Sequence, residues 1–391
     1  MRRAYRLGLV GASLASSVAV VGLLTRFSST SEGPIAATLE WLGTAVGSIE
    51  HSIRQRLIGG LGRSGDLAWF RPYQTNADRL RSPDVVLLGA YDSGLPETLD
   101  GVAELERNIG TTLPLVQIYT AWGDKPEQRF PLRMATAISD MGSVPVITWE
   151  PWLTDFENTR HPSLPLRDAR DRHGLVAVAR GDYDFYVDMW AAEAAQFSRP
   201  LFLRFAHEMN DPYRYPWGPQ NNTKEEFIDA WRHVRERFER AGAHNVIWTW
   251  SPHVGYPYWD TYYPGSQYVD WVATGVLNFG WVGQQWSQWW TFREIFGVKY
   301  PLLASFGKPV MVAEFGSLAV GGDRAAWYRA ALTDLPEKYP AIKALLFFNA
   351  KNDHTVTYQT LDWSVTRDPA VARTITAAIK PWTPETTKQS R

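Results

Sequence analysis

From about residue 82 the chain repeats one pattern. A short, continuous apolar run rich in Val, Ile, Leu and aromatic residues is followed by a stretch whose apolar positions recur every three to four residues. The apolar runs at 85–90, 115–119, 144–149, 201–206, 245–250, 271–277, 309–313 and 344–348 read as buried strands. The clearest intervening helix is 224–240, where Phe227, Trp231, Val234 and Phe238 form one apolar stripe and charges cover the other face. Further helices are expected at 132–141, 183–197, 324–335 and 369–379. Continuous apolar strands alternating with helices predict a parallel sheet covered on both faces. Eight such units over roughly 300 residues fit an α/β fold of the closed (β/α)8 TIM-barrel kind better than an open doubly wound sheet. A GxGxxG turn after the first run is missing, which weakens a dinucleotide-binding reading.

The chain ahead of this pattern is differently built. Arg2, Arg3 and Arg6 precede an uncharged apolar run over 7–24, the layout of a signal peptide or membrane anchor that keeps its start in the cytoplasm and sends the rest outward. Because a small-x-small cleavage site is missing after Leu24, an uncleaved anchor is favoured, with the protein periplasmic or extracellular. Residues 26–34 read as a spacer. In 35–58, Leu39, Leu42, Val46, Ile49, Ile53 and Leu57 predict an amphipathic helix that packs on the domain or lies on the membrane. The expected organisation is 1–25 signal or anchor, 26–81 spacer and helical extension, 82–381 barrel, and 382–391 polar tail.

Composition narrows the function. Lys and Arg total 40 against 41 Asp and Glu, so no net field draws in nucleic acid. There is no cysteine, which excludes disulfides, thiolate metal sites and a cysteine nucleophile. The 19 Trp and 17 Tyr exceed what core packing asks for. Flat rings with polar edges either fill a core or line a site for ligands with C–H faces, such as sugars.

In a barrel of this kind the active site is built at the carboxyl ends of the strands. Those ends carry Tyr91 and Asp92, then Trp122, then Trp149, Glu150 and Trp152, then His207 and Glu208. Trp250 and His253, Asn278, Glu314 and Asn349 follow on the remaining four. Glu208 and Glu314 end strands that face each other across the barrel. Two opposed carboxylates suit glycosidic cleavage, one protonating the departing oxygen while the other attacks or assists at the anomeric carbon. Glu150 and Asp92 are further acids on the same rim, and spacing alone does not choose the pair. His207 and Glu208 begin like a zinc-protease HExxH motif, but Asp211 stands where the second histidine is required, so neither metal nor other cofactor is expected.

Two longer segments carry a resemblance. Residues 203–210 (LRFAHEMN), followed by Tyr215-Pro216-Trp217-Gly218, resemble the acid/base signature of glycoside hydrolase family 26, and 308–317 (KPVMVAEFGS) is similar to that family's nucleophile strand. Residues 248–252 and 270–272 extend the likeness, which covers about 82–380. The family contains β-mannanases, mixed-linkage β-glucanases and some β-xylanases. The resemblance implies Glu208 as acid/base and Glu314 as nucleophile, with the carboxyls about 5 Å apart and retention of configuration. It implies that His207 hydrogen-bonds near the sugar or tunes Glu208, that Trp217 stacks on a sugar ring, and that Arg204 lies beneath the carboxylates, holding Glu314 ionised. Where the family ends its sixth strand with a tyrosine bonded to the nucleophile, this chain has Leu277 and Asn278, so either Asn278 substitutes or Glu314 is less well held. Phe348 stands where an aromatic platform under the reactive sugar is expected. Trp281, Trp286, Trp289 and Trp290 after the sixth strand are read as a wall of an extended cleft or as rings buried on the barrel, and Tyr91, Trp149, Glu150, Trp152 and Trp250 as substrate contacts. The expected substrate is a β-linked polysaccharide or oligosaccharide, a β-glucan slightly ahead of a β-mannan. Association with the membrane through 7–24 places the enzyme beside polysaccharide-export machinery. The rival reading is a non-hydrolytic carbohydrate-binding protein on the same barrel.

Overall fold

A computed structural model describes residues 63, 67–282, 288–354 and 359–382. These fall within one of two compact units, Ile58–Arg391; the other, Met1–Leu57, lies outside the described residues. So do the expected signal or anchor at 1–25, nearly all of the 26–66 extension, and residues 383–391.

Eight parallel strands close into a barrel in sequence order: β1 (Leu87–Asp92), β2 (Leu115–Ala121), β3 (Val144–Glu150), β4 (Leu201–Phe205), β5 (Val246–Trp250), β6 (Trp271–Asn278), β7 (Val310–Ser317) and β8 (Ile342–Asn349). The (β/α)8 expectation therefore holds. Outside it run α1 (Asp100–Ile109), α2 (Leu132–Asp140), α3 (Asp184–Phe197), α4 (Lys224–Arg240), α5 (Tyr300–Ser305), α6 (Arg324–Leu332) and α7 (Pro369–Ile379). Helix α4 opens with a capping box in which Thr223 Oγ1 accepts from Glu226 N–H and Glu226 returns a carboxylate to Thr223 N–H. The expectation of a helix after every strand fails once. Between β5 and β6 only short 3-10 turns stand (Trp259–Tyr262 and Ser266–Tyr268), in a segment broken by Pro252, Gly255, Pro257, Pro264 and Gly265.

Strand alternation sorts the side chains. Leu87, Leu115, Val146, Phe202, Ile247, Trp271, Met311 and Leu346 fill the lower barrel interior, while their neighbours Leu88, Val116, Ile147, Leu203 and Trp248 face the helices. Residues 67–81, assigned from sequence to the extension, belong to this interior. Leu67, Phe70 and Leu80 join its core, and the Leu80 carbonyl accepts from Trp271 Nε1 at 2.8 Å. Short helical turns held by the Asn76 cap replace the long amphipathic period that would have announced them.

Gly89 is tightly enclosed within the barrel. A Cβ there would stand 2.8 Å from both the Cβ and the carbonyl of Leu115 and 2.9 Å from Leu346 Cγ. Gly89→Ala is expected to lower stability by about 1–3 kcal/mol through overpacking, read as a lower midpoint in urea unfolding.

Candidate active site

One irregularity positions the first acid. On β7, Val312 pairs with Thr274 and Glu314 with Gly275, so Ala313 is an extra residue, and the register against β8 shifts over the same stretch. Strict alternation would turn Glu314 toward the helices with Val312. The bulge turns it inward, together with Ala313. The second acid lies just past β4, where Ala206 and Glu208 take left-handed backbone angles (φ 45° and 54°). Such conformations cost non-glycine residues roughly 1–3 kcal/mol each. They are held by Ala206 N–H on the Trp149 carbonyl (3.0 Å) and Glu208 N–H on the Ser251 carbonyl (2.7 Å).

The two carboxylates meet over Gly275. A Cβ at that position would stand 3.7 Å from Glu208 Oε1 and 3.7 Å from Glu314 Oε2, so these oxygens are at most twice 3.7 Å apart. The missing side chain leaves that space open.

Their surroundings differ. Glu314 Oε1 accepts from Arg204 Nη1 (3.1 Å), Arg204 Nη2 (3.2 Å) and the Tyr119 hydroxyl (2.9 Å). Arg204 is fully buried and reaches Thr148 Oγ1 (3.1 Å), Ser251 Oγ (3.2 Å) and the Gln117 amide oxygen (3.0 Å) as well. Burial and the Glu314 charge raise the Tyr119 hydroxyl well above its ordinary range, so it stays a donor. Glu208 has weaker partners. Arg214 Nη1 lies 3.5 Å from Oε2 and His253 Nε2 3.9 Å from Oε1. Burial raises its pKa above the usual carboxylate range, His253 opposes the rise, and the Glu314 charge adds to it. Glu314 is thus backed by a buried guanidinium, while burial shifts Glu208 towards its protonated form.

Around them stand residues expected from sequence. His207 Nε2 bonds the Tyr215 hydroxyl (3.1 Å) and lies 4.0 Å from Glu150 Oε1; burial, then the Arg204 charge, hold its pKa well below the ordinary value, so it is neutral. Glu150 accepts from Trp152 Nε1 (3.0 Å) and is raised by burial to about 7, the Trp152 bond opposing the rise and the Glu314 charge adding to it. Tyr91 stacks on Phe348 (5.4 Å) and meets Tyr119 edge-on (4.9 Å).

Other expectations need correction. Trp149 and Trp250 are fully buried and face outward: Trp149 packs on Trp122, Trp190 and Phe238, and Trp250 on Tyr263 and Phe306. Both follow inward-facing threonines, Thr148 and Thr249, so alternation turns them toward the outer layer. Trp217 is buried as well, stacked on Tyr215 (4.6 Å) with Nε1 on the His207 carbonyl (2.7 Å), which places it behind His207 as a support. Asn278 does not substitute for the absent tyrosine. Its Nδ2 donates to Ser317 Oγ and its Oδ1 accepts from Gly280 and Trp290 N–H, bracing the β6 loop. Asp92 clasps Asn349 Nδ2 (2.7 Å). Trp281 is exposed on the rim beside Val320, Trp289 and Trp290 are half-buried, and Trp286 lies outside the described residues.

Sequence reading missed Tyr119 and Arg214, and it named Tyr215 and His253 without giving them a role. Tyr119 was legible, since it shares the inward parity of Gln117 and ends a strand. Tyr119→Phe is expected to slow turnover about ten-fold through loss of one bond to a charged group, with little change in thermal stability; steady-state kinetics check it.

Glu208, Asp211 and His253 bring ligand-type atoms within 4.8 Å of one another. The trio does not suit a cation. Gly255 N–H donates to His253 Nδ1 (3.0 Å), which places the ring proton on Nε2, the nitrogen that faces Glu208, and Arg214 already brings positive charge there.

Comparison with known proteins agrees with this arrangement. Residues 185–296 match the family model described as Glycosyl hydrolase family 26. Endoglucanase H of Acetivibrio thermocellus is 29% identical over 300 residues, covering 72% of this chain and 30% of that protein. Mannan endo-1,4-beta-mannosidase A and B of Caldalkalibacillus mannanilyticus is 27% identical over 161 residues, covering 39% and 28%. The chain thus spans less than a third of the length of these relatives. Its fold is similar to that of a GH26 beta-mannanase from Bacteroides ovatus, with a TM-score of 0.53 and 18% identity over 75% of this chain and 89% of the other. Barrel, paired carboxylates and the match over 185–296 converge on a likeness to glycosyl hydrolase family 26.

Proposed function

We propose that this chain is a retaining endo-β-glycanase that cuts a β-1,4-containing polysaccharide by double displacement, with Glu208 as acid/base and Glu314 as nucleophile. The observation that carries the reading is the pair of carboxylate oxygens that both flank the open space over Gly275, one backed by a buried guanidinium and the other shifted by burial towards its protonated form. Glu314 attacks the anomeric carbon while Glu208 gives its proton to the departing glycosidic oxygen. Glu208 then takes a proton from water as that water opens the glycosyl ester and restores the starting configuration. A proton donor and an ionised nucleophile suffice for these steps, so no cofactor is invoked. A β-glucan or mixed-linkage glucan is preferred over a β-mannan, because the likeness to Endoglucanase H runs over 300 residues and that to the mannosidase over 161. The apolar run at 7–24 behind three arginines supports an exported, membrane-anchored enzyme. A mature amino terminus well beyond Leu24, found by mass spectrometry, would remove the anchor.

The test is incubation of the protein with mixed-linkage glucan, glucomannan and xylan beside Glu314→Ala, with the new reducing ends followed by NMR. Release of β-anomers by the parent chain alone is expected, fastest on glucan. Equal release by both proteins, release by neither, or first-formed α-anomers would overturn the reading.

A further inference from the structure

Double displacement asks opposite things of Glu208. It must hold a proton while the leaving group departs and lack one when water attacks. Burial and Glu314 favour the protonated form, whereas His253 and Arg214 favour the charged one.

Of these two neighbours of Glu208, His253 is the more firmly placed. Its backbone N–H donates to Asn210 Oδ1 (2.7 Å), and its carbonyl accepts from Asn210 Nδ2 (3.1 Å) and Trp259 Nε1 (3.1 Å). Asn210 sits two residues beyond Glu208, so one amide ties the loop carrying the acid to the loop carrying the histidine. The Gly255 N–H on Nδ1 fixes the ring proton on Nε2. A Cβ on Gly255 would press to 3.0 Å from His253 Cε1 and 3.2 Å from Nδ1, so an alanine there would push the ring by a few tenths of an ångström. Glu208 and Asp211 face the ring from the loop after β4, where Arg214 lies 3.5 Å from Glu208 Oε2, and Tyr256 lies against it at 4.8 Å from its own loop. Asp211 Oδ1 is engaged by Tyr213 N–H (2.8 Å).

We propose that His253 is a positioning residue for the second half of the reaction: its Nε2–H, aimed at Glu208 Oε1 from 3.9 Å, closes onto the carboxylate once it is charged and orients it toward the incoming water. This deepens the double-displacement reading and rests on it. In that step a water O–H bond breaks and its proton goes to Glu208. The water oxygen bonds to the anomeric carbon as the ester bond to Glu314 breaks. His253 keeps its own proton throughout.

The test uses a dinitrophenyl β-cellobioside or β-mannobioside, whose good leaving group makes the first step independent of acid. His253→Phe should lower kcat about ten-fold, the worth of one hydrogen bond to a charged group, with KM falling in parallel, kcat/KM unchanged and a burst of dinitrophenolate. Azide, which attacks without a base, should restore turnover. On polysaccharide the alkaline limb of kcat/KM should move up by about one pH unit as the charged form of Glu208 loses support. His253→Gln, which keeps a side-chain N–H, should recover most of the loss, and Gly255→Ala, which displaces the ring, should reproduce it. Equal falls in kcat and kcat/KM, an unmoved alkaline limb, or a Gln variant no better than Phe would sink the proposal. Should His253→Phe fail to fold, the Gln and Gly255→Ala variants decide by the same criteria. A parent enzyme that turns over neither glycoside, or a Glu314→Ala variant as active as the parent, would instead remove the reading beneath it.

Discussion

Glu208→Ala is expected to lower polysaccharide hydrolysis by about 10²–10⁴-fold, the usual contribution of a positioned proton donor, yet to spare the first step on a dinitrophenyl glycoside. The glycosyl-enzyme then accumulates, and azide entering the vacated space releases it as a β-glycosyl azide. Stopped-flow release of dinitrophenolate and mass spectrometry of the trapped protein check both parts; equal loss on the two substrates would contradict the assignment. The pH dependence has a definite sign. The parent needs Glu208 protonated, and burial raises its pKa, so kcat/KM on polysaccharide should fall as pH rises through that raised value. The aryl glycoside should lack this limb. Stability follows the same linkage. Because Glu208 binds its proton more tightly folded than unfolded, stability is fully present below the unfolded carboxylate pKa and is lost as pH rises through the folded one. Glu208→Gln should therefore unfold at the same or a higher temperature at neutral pH.

Apolar runs show the strands because parallel strands covered on both faces leave no polar alternation to read, and strand existence is the strongest signal such a chain emits. Helices α1 and α5 were harder. Helix α1 mixes charge with its apolar positions, including a buried Glu106 paired with Arg63, and α5 is one and a half turns long. Which end-of-strand residues look inward depends on parity. Counting outward from Arg204, a charge that a barrel tolerates only inside the site, would have turned Trp149 and Trp250 to the helices beforehand. The β7 bulge was beyond such counting. Ala313 and Glu314 both face inward, and nothing in VMVAEFGS marks the extra residue. Parity turns Tyr119 inward, but its bond to Glu314 joins β2 to β7, which lie far apart in sequence and meet only across the closed barrel.

Arg204→Met is expected to have the largest effect on stability, and the reason separates pairing from charge. Arg204 is fully buried and gives two hydrogen bonds to Glu314 Oε1. Its loss leaves an acid supported by the Tyr119 hydroxyl alone in a water-poor site. Breaking a buried pair in this way typically costs about 3–5 kcal/mol, so the urea midpoint should fall sharply at neutral pH. Activity should fall about 10²–10³-fold or more, as when a preorganised donor beside developing charge is removed. Arg204→Met combined with Glu314→Leu removes both charges and fills the same space. It should recover much of the lost stability while remaining inactive, because the penalty lies in the unpaired carboxylate. If the double variant is as unstable as Arg204→Met, the guanidinium acts mainly through Thr148, Ser251 and Gln117, which it also binds. In that case the electrostatic account of how the nucleophile is held charged fails, even if the two glutamates keep their roles.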